Sequence, residues 1–318
     1  MPGHDRTPLA SRSARNVGRV TSNRADVRDF LVSRRAKITP QQAGLQFYGG
    51  NRRVPGLRRE EVAMLAGVSA DYYTRLEKGN LSGVSDGVLE AIATALQLDE
   101  AERCHLLDLA RAANTRPGGA TRRHVPQQVR PGIQLILDGM TDIPAFVRNG
   151  RLDILAVNTL GRALHSPIFA GPVQPANFAR FQFLDPAARD FYPSFGDATR
   201  TTVALLRTEA GRDPFNKSLT ALIGELSTRS EEFRTLWAAH DVRLHRSGRK
   251  QFRHPAVGSL DLMFEAMALE ADEGLTLTVY TAEPGTPSHD GLRLLASWAA
   301  TRQQQDNEKR SRPADALD

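Results

Sequence analysis

At 318 residues the chain is long enough for two ordinary domains, and 40% hydrophobic with 25% charged residues is a globular rather than a disordered composition. No run of about 18 apolar residues occurs, so no membrane-spanning helix is expected. The single cysteine, Cys104, excludes a disulfide framework or a cysteine-based zinc site and suits a reducing cytoplasm.

The net charge of +6 is unevenly placed: residues 1–130 carry 21 Lys and Arg against 13 Asp and Glu, and the remainder 21 against 23. The front half is therefore the end suited to a polyanion. Residues 1–25, rich in Arg and Ser and without an apolar core, are expected to be a disordered basic arm rather than a signal peptide.

Five short helices are expected over 26–114. The first starts near Asp26 and carries Val27, Phe30 and Leu31 at spacings of three and four. A loop with Gly49, Gly50, Asn51 and a Pro55-Gly56 turn follows. The second helix runs from about Arg58 to Leu65 and ends at Gly67, which tolerates a left-handed backbone. Ser69 is placed to cap the third, Ala70 to Lys78, and Ser85 the fourth, with Leu89, Ile92 and Leu96 in its stripe. The fifth spans roughly Glu100 to Ala113.

Residues 115–131, dominated by Pro, Gly, Arg and Gln, are expected to be a linker. Beyond it the pattern mixes strands and helices. Phe146-Val147 and Ile154 to Val157 flank the hairpin dipeptide Asn149-Gly150, and Leu275 to Tyr280 alternates as a strand does. Helical stretches are expected at 198–210, 217–228 and 230–240. The second domain, 132–301, is thus read as α+β, with a polar, disordered tail at 302–318.

The segment Arg58-Arg-Glu-Glu-Val-Ala-Met-Leu-Ala-Gly-Val-Ser69 meets the needs of a helix-turn-helix: small Ala63 where the helices cross, Gly67 in the turn, and Val68, Tyr73 and Leu76 locking the second helix. With those inward, Ala70, Asp71, Tyr72, Thr74 and Arg75 face outward, where the N-terminal half of such a helix meets base edges in the major groove. Arg75 has the geometry for guanine O6 and N7, and Asp71 for a cytosine amino group. Ser69 joins this face, and Arg53, Arg59 and Lys78 are placed for phosphate.

The stretch resembles the phage-repressor-like (XRE) helix-turn-helix family. The longer string from Val54 to Gly79, together with Asn177-Phe-Ala-Arg-Phe181, Phe183-Leu-Asp-Pro186, Leu236 to Val242, His254 to Gly258 and Val279 to Gly285, resembles the MmyB-like regulators. That resemblance implies a five-helix DNA-binding domain followed by a PAS-like α/β domain that takes a fatty acid or similar apolar effector. The residues suit such a cavity: Phe146, Leu155, Val157, Phe181, Phe183, Leu236 and Trp237 as apolar wall, with Asn158, Arg180, His240 and His254 to hold a carboxylate.

Double-stranded DNA and a small apolar ligand are the expected partners, and a homodimer the expected state, since half-sites pair naturally. No cofactor, metal or membrane is expected. The alternative is a protein-interaction adapter or antitoxin-like module, which would bind DNA neither salt-dependently nor sequence-specifically. An enzyme is not expected: His240, Asp241, His245 and His254 lack metal-ligand spacing, and no phosphate loop or nucleophile elbow appears.

Overall fold

The computed structural model describes residues 10–45, 54–114, 127–172, 174–243 and 245–311. The chain divides into two compact units. The first comprises 1–123 with 207–221 and 235–244; the second comprises 124–206, 222–234 and 245–318. Two short stretches of the range read as one C-terminal domain, 132–301, thus belong to the first unit.

Five helices begin the chain: α1 (Ala10–Lys37), α2 (Arg59–Leu65), α3 (Ala70–Glu77), α4 (Asp86–Ala95) and α5 (Glu100–Asn114). The last four start and stop within a residue or so of where caps and glycines place them. α1 does not. It begins at Ala10, ahead of Asp26, across a segment read as a disordered arm; after Pro8 no proline interrupts it. The Gly49-Gly50-Asn51 loop lies outside the described residues, as does most of the expected linker.

The first unit is held by one core in which Phe30, Leu31, Leu57, Val62, Tyr73, Leu76, Ile92 and Leu106 are all buried. Its helix ends are closed as the sequence dictates. Gly67 takes φ +65°; its N–H donates to Met64 O and that of Val68 to Ala63 O, the paired bonds of a Schellman turn. Gly79, at φ +92°, repeats this at the end of α3, donating to Leu76 O while Asn80 donates to Arg75 O. The Ser69 and Ser85 hydroxyls accept from the Tyr72 and Val88 N–H groups. A reciprocal Asp99–Glu102 pair caps α5.

The second unit is built on an antiparallel sheet of order β2-β1-β5-β4-β3: β1 (Ala145–Asn149), β2 (Ile154–Val157), β3 (Ser247–His254), β4 (Gly258–Ala268) and β5 (Leu275–Thr281). α6 (Pro131–Gly139) covers one face, packing Leu137 on Val147, Leu275 and Leu277. α7 (Thr159–Leu164), α8 (Ser166–Phe169), α9 (Phe178–Leu184) and α10 (Ala187–Phe191) follow β2, then α11 (Phe195–Arg212), α12 (Lys217–Arg229) and α13 (Glu231–Ala238), whose ends the two units share.

α14 (Pro287–Ser311) packs on β4, where the Ser288 hydroxyl accepts from the Asp261 N–H and buried Leu292 and Leu295 face inward. It runs ten residues past Thr301, into what was read as a disordered tail. An α+β second unit follows a helical first one, as the sequence indicates. Among the described residues no helix is long and apolar enough to cross a membrane.

Candidate nucleic-acid interface and ligand cavity

The helix-turn-helix has an inward and an outward face. Ala63, Tyr73 and Leu76 are buried and Val68 packs at the edge of the core, as the crossing requires. Ser69, Ala70, Asp71, Arg75 and Lys78 are exposed, and Tyr72 and Thr74 half-buried between them. The Arg75 guanidinium lies 5.9 Å from the centre of the Tyr72 ring, so the two side chains leave α3 together. Exposed Arg58, Arg59, Arg75 and Lys78 outnumber Glu60 and Asp71 on this surface, leaving it positive. Arg53 lies outside the described residues.

The sequence reading missed Glu77. It falls on the inward stripe of α3, one turn after Tyr73, and only 2% of its side chain is exposed. Its carboxylate accepts from Arg35 on α1 at 2.6 Å and from Arg59 on α2. Arg35 also donates to Leu57 O at 2.8 Å. One buried acid thus ties three helices together. Arg59, expected to meet phosphate, is half exposed, and Glu77 raises its already high pKa.

In the second unit two cavities adjoin. The larger, about 350 Å³, is partly open and mixed in character, lined by Ala198, Thr201, Arg249, Lys250, Gln251 and Asp261 among others. The smaller, about 40 Å³, lies against Phe146, Phe178, Leu205 and Tyr280, with Arg148 and Gln182 on its wall. Tyr192, Thr201, His245 and Lys250 border both.

Lys250 stands opposite buried Leu262 in the β3–β4 register, so its side chain projects from the inner face of the sheet. Its ammonium lies 5.0 Å from the Tyr192 ring centre. Burial, aided by Arg148, pushes its pKa down to about 8. The two acids on the larger cavity are engaged elsewhere, Asp261 with Arg249 and Asp197 with Arg200. His245 stacks on Phe264 at 4.1 Å, and burial pushes its pKa down to about 3, so it is neutral.

Of the residues read as ligand contacts, Phe146 lines the smaller cavity. The others are placed differently. Leu155 packs toward α6, on the opposite side of the sheet. Asn158 caps α7. Arg180 pairs with Glu225 at 2.9 Å. Phe181 packs on Phe191 and Tyr192, and Phe183 on Phe233. His254 is buried: Nδ1 accepts from the Ala256 N–H, so Nε2 carries the hydrogen and donates to Ala163 O at 3.0 Å.

Trp237 and His240 belong to the first unit, where Arg207 lies 4.0 Å from the Trp237 ring centre and 3.0 Å from His240 Nδ1. Polarity marked these side chains; strand register and helix phase, invisible in composition, decide where they point. Among the described residues no cluster of His, Cys, Asp or Glu could hold a metal ion.

His165, 1% exposed, ends α7, with the rings of Phe146, Phe178, Phe252 and Tyr280 within 5.7 Å. Burial pushes its pKa down to about 3. In the unfolded chain it takes a proton near 6.5, so stability is expected to fall as pH drops through 6.5 and to go on falling toward 3. His245 acts in the same sense. Denaturant midpoints at pH 7.5 and 5.5 measure this loss, and His165→Phe should reduce the difference; an unchanged difference would mean His165 is charged or exposed in the native state.

Residues 24–106 match a helix-turn-helix domain family, and residues 129–295 match the family described as MmyB-like transcription regulator ligand binding domain. No curated protein matches the chain. The second match covers more than half of the sequence and contains the sheet and both cavities, and the first contains the whole positive face of α3. The chain therefore belongs to the MmyB-like transcription regulators, DNA-binding proteins with a helix-turn-helix ahead of a ligand-binding domain.

Proposed function

We propose that the protein binds operator DNA as a homodimer in the cytoplasm, reads it with α3, and responds to a small acidic amphiphile, of the fatty-acid kind, held in a PAS-like second unit. The observation that carries the effector reading is Lys250: a half-buried cation beside aromatic rings, with both acids of its cavity paired to other residues. An ammonium so placed is costly without a counter-ion, and the anionic end of an amphiphile supplies one. The adjoining Phe146, Phe178 and Tyr280 suit the apolar end. A single antiparallel sheet with helices over the cavity face supports the PAS-like reading.

For DNA, Ser69, Ala70, Asp71, Tyr72, Thr74 and Arg75 meet base edges or the adjacent backbone, with Arg59 and Lys78 on phosphate. Half-sites one helical turn apart, about 34 Å, suit a two-fold dimer. Effector binding changes DNA affinity only in so far as it binds the two arrangements of the regulator unequally.

The test is a footprint on the protein's own promoter region followed by titration at two salt concentrations. Arg75→Ala is expected to weaken the specific site by about 1–3 kcal/mol and to relax preference at one base pair. A variant that binds the site as the parent does would remove α3 from the groove. For the effector, mass spectrometry of an organic extract of the purified chain is expected to release an acidic amphiphile.

A further inference from the structure

We infer that α11 carries the effector's signal to the DNA-reading helix, through a buried arginine cluster that holds the turn at His240 against α1. This rests on the reading of the two cavities as the effector site and names how that site is coupled to DNA. α11 serves both units: its residues through Leu206 belong to the second and those from Arg207 to the first. Ala198, Thr201, Thr202 and Leu205 share one face of it, at spacings of three and four, and line the cavities. Arg207 follows Thr201 by six residues, about 9 Å of uninterrupted helix. A ligand that displaces the cavity face of α11 therefore displaces Arg207 with it.

In the helical unit the Arg207 guanidinium meets the 237–240 turn, with Nη1 3.0 Å from His240 Nδ1 and Nη2 donating to Trp237 O. One turn further along α11, Gly211 packs so closely on α5 that a Cβ there would lie 2.6 Å from the His105 ring. Arg34 of α1 donates to His240 O and to Glu102 of α5. The next residue, Arg35, holds Glu77 on α3. A run of bonded side chains thus leads from the cavity-lining helix to the helix that meets DNA.

Two features mark the cluster as a poised element. His240, at φ +54°, holds a left-handed backbone that is strained in a non-glycine residue and persists only where its surroundings impose it. Arg34 and Arg207 are 3% and 4% exposed, and each keeps a buried Nε with no partner among the described residues. A half-satisfied buried network has less to lose on rearranging than a complete one. A cluster that served stability alone would shift the denaturant midpoint when mutated and leave the effect of ligand on DNA affinity intact.

The test is DNA binding by the full chain, on a fragment of its own promoter region, with and without saturating tetradecanoate. The parent's dissociation constant is expected to change about fivefold or more, and Arg207→Met to bring the ratio within about twofold of unity while still binding tetradecanoate in a calorimetric titration. His240→Gly, which accepts the same backbone and removes the imidazole, should also reduce the ratio. His240→Asn, which tolerates that backbone and offers a side-chain acceptor, should keep more of it. Denaturant midpoints establish that each variant folds; should Arg207→Met fail to, the His240 pair decides. Folded variants that keep the parent's ratio overturn the relay and leave the effector reading standing. A parent that binds tetradecanoate with no change in DNA affinity does the same. A parent that binds no tetradecanoate overturns both.

Discussion

Replacing Glu77 by alanine is expected to cost the helical unit about 3–5 kcal/mol, the usual penalty for stranding a buried charge. Domains commonly have only about 5–15 kcal/mol in all, so much of the unit's stability is at stake. Glu77 sits at the end of α3 with 2% of its side chain exposed, and both its partners come from other helices. The two partners differ in what they can do when it is gone. Arg59 is half exposed and can turn to water. Arg35 is only 14% exposed and would keep one bond, to Leu57 O. The penalty therefore belongs mostly to Arg35, and Arg59→Ala should cost no more than about 1 kcal/mol, as exposed ion pairs do. Denaturant titration separates the two variants. DNA affinity should fall in Glu77→Ala only in proportion to the unfolded fraction. A variant with an unchanged midpoint and lost DNA binding would move Glu77 from the core of the unit to its DNA-reading surface.

How far the sequence could be read follows from which signals are local. Gly67, Ser69, Gly79 and Ser85 act within one turn of themselves, and the helices they bound lie where those residues put them. The second unit was legible where alternation was clean, as in Leu275 to Tyr280, and at the Asn149-Gly150 hairpin. It was opaque in β3 and β4. Ser-Gly-Arg-Lys-Gln-Phe-Arg-His is an edge strand with little apolar content, and Leu-Met-Phe-Glu-Ala-Met-Ala has the composition of a helix. Lys250 and Arg148 were missed for the same reason: a charged side chain becomes a pocket residue only once strand pairing sets its face. Pairing with Leu262 decides it for Lys250, and no window around position 250 contains that information. α1 starts ahead of its expected start at Asp26, and α14, where no helix was expected, runs into the segment read as a disordered tail: polar, proline-free sequence continues a helix, and polarity alone does not stop it.

Asn158 shows how a buried polar residue that holds the fold is told from a ligand contact. Its side chain uses both of its ends on the backbone. Oδ1 accepts from the N–H groups of Ala145, at 3.0 Å, and Gly161, at 2.7 Å. Nδ2 donates to Met140 O and Ile143 O at 2.6 and 2.7 Å. It thereby fastens the start of β1, the end of α6 and the first turn of α7 at one point. Gly161 shows how close that packing is, since a Cβ there would lie 2.5 Å from Ala145 O. Asn158→Ala removes the helix cap, worth about 1 kcal/mol, and leaves buried backbone groups unpaired at about 1–3 kcal/mol each. Because these effects overlap, about 3–4 kcal/mol in total is expected. Asn158→Asp should do little better, because it keeps the two acceptor contacts but sets oxygen against oxygen at Met140 and Ile143. Midpoints from denaturant titration check the loss, and tetradecanoate affinity per folded molecule should not change in either variant. An Asn158→Ala protein of unchanged stability that no longer binds the fatty acid would return this residue to the proposed effector site and imply that its backbone bonds are dispensable.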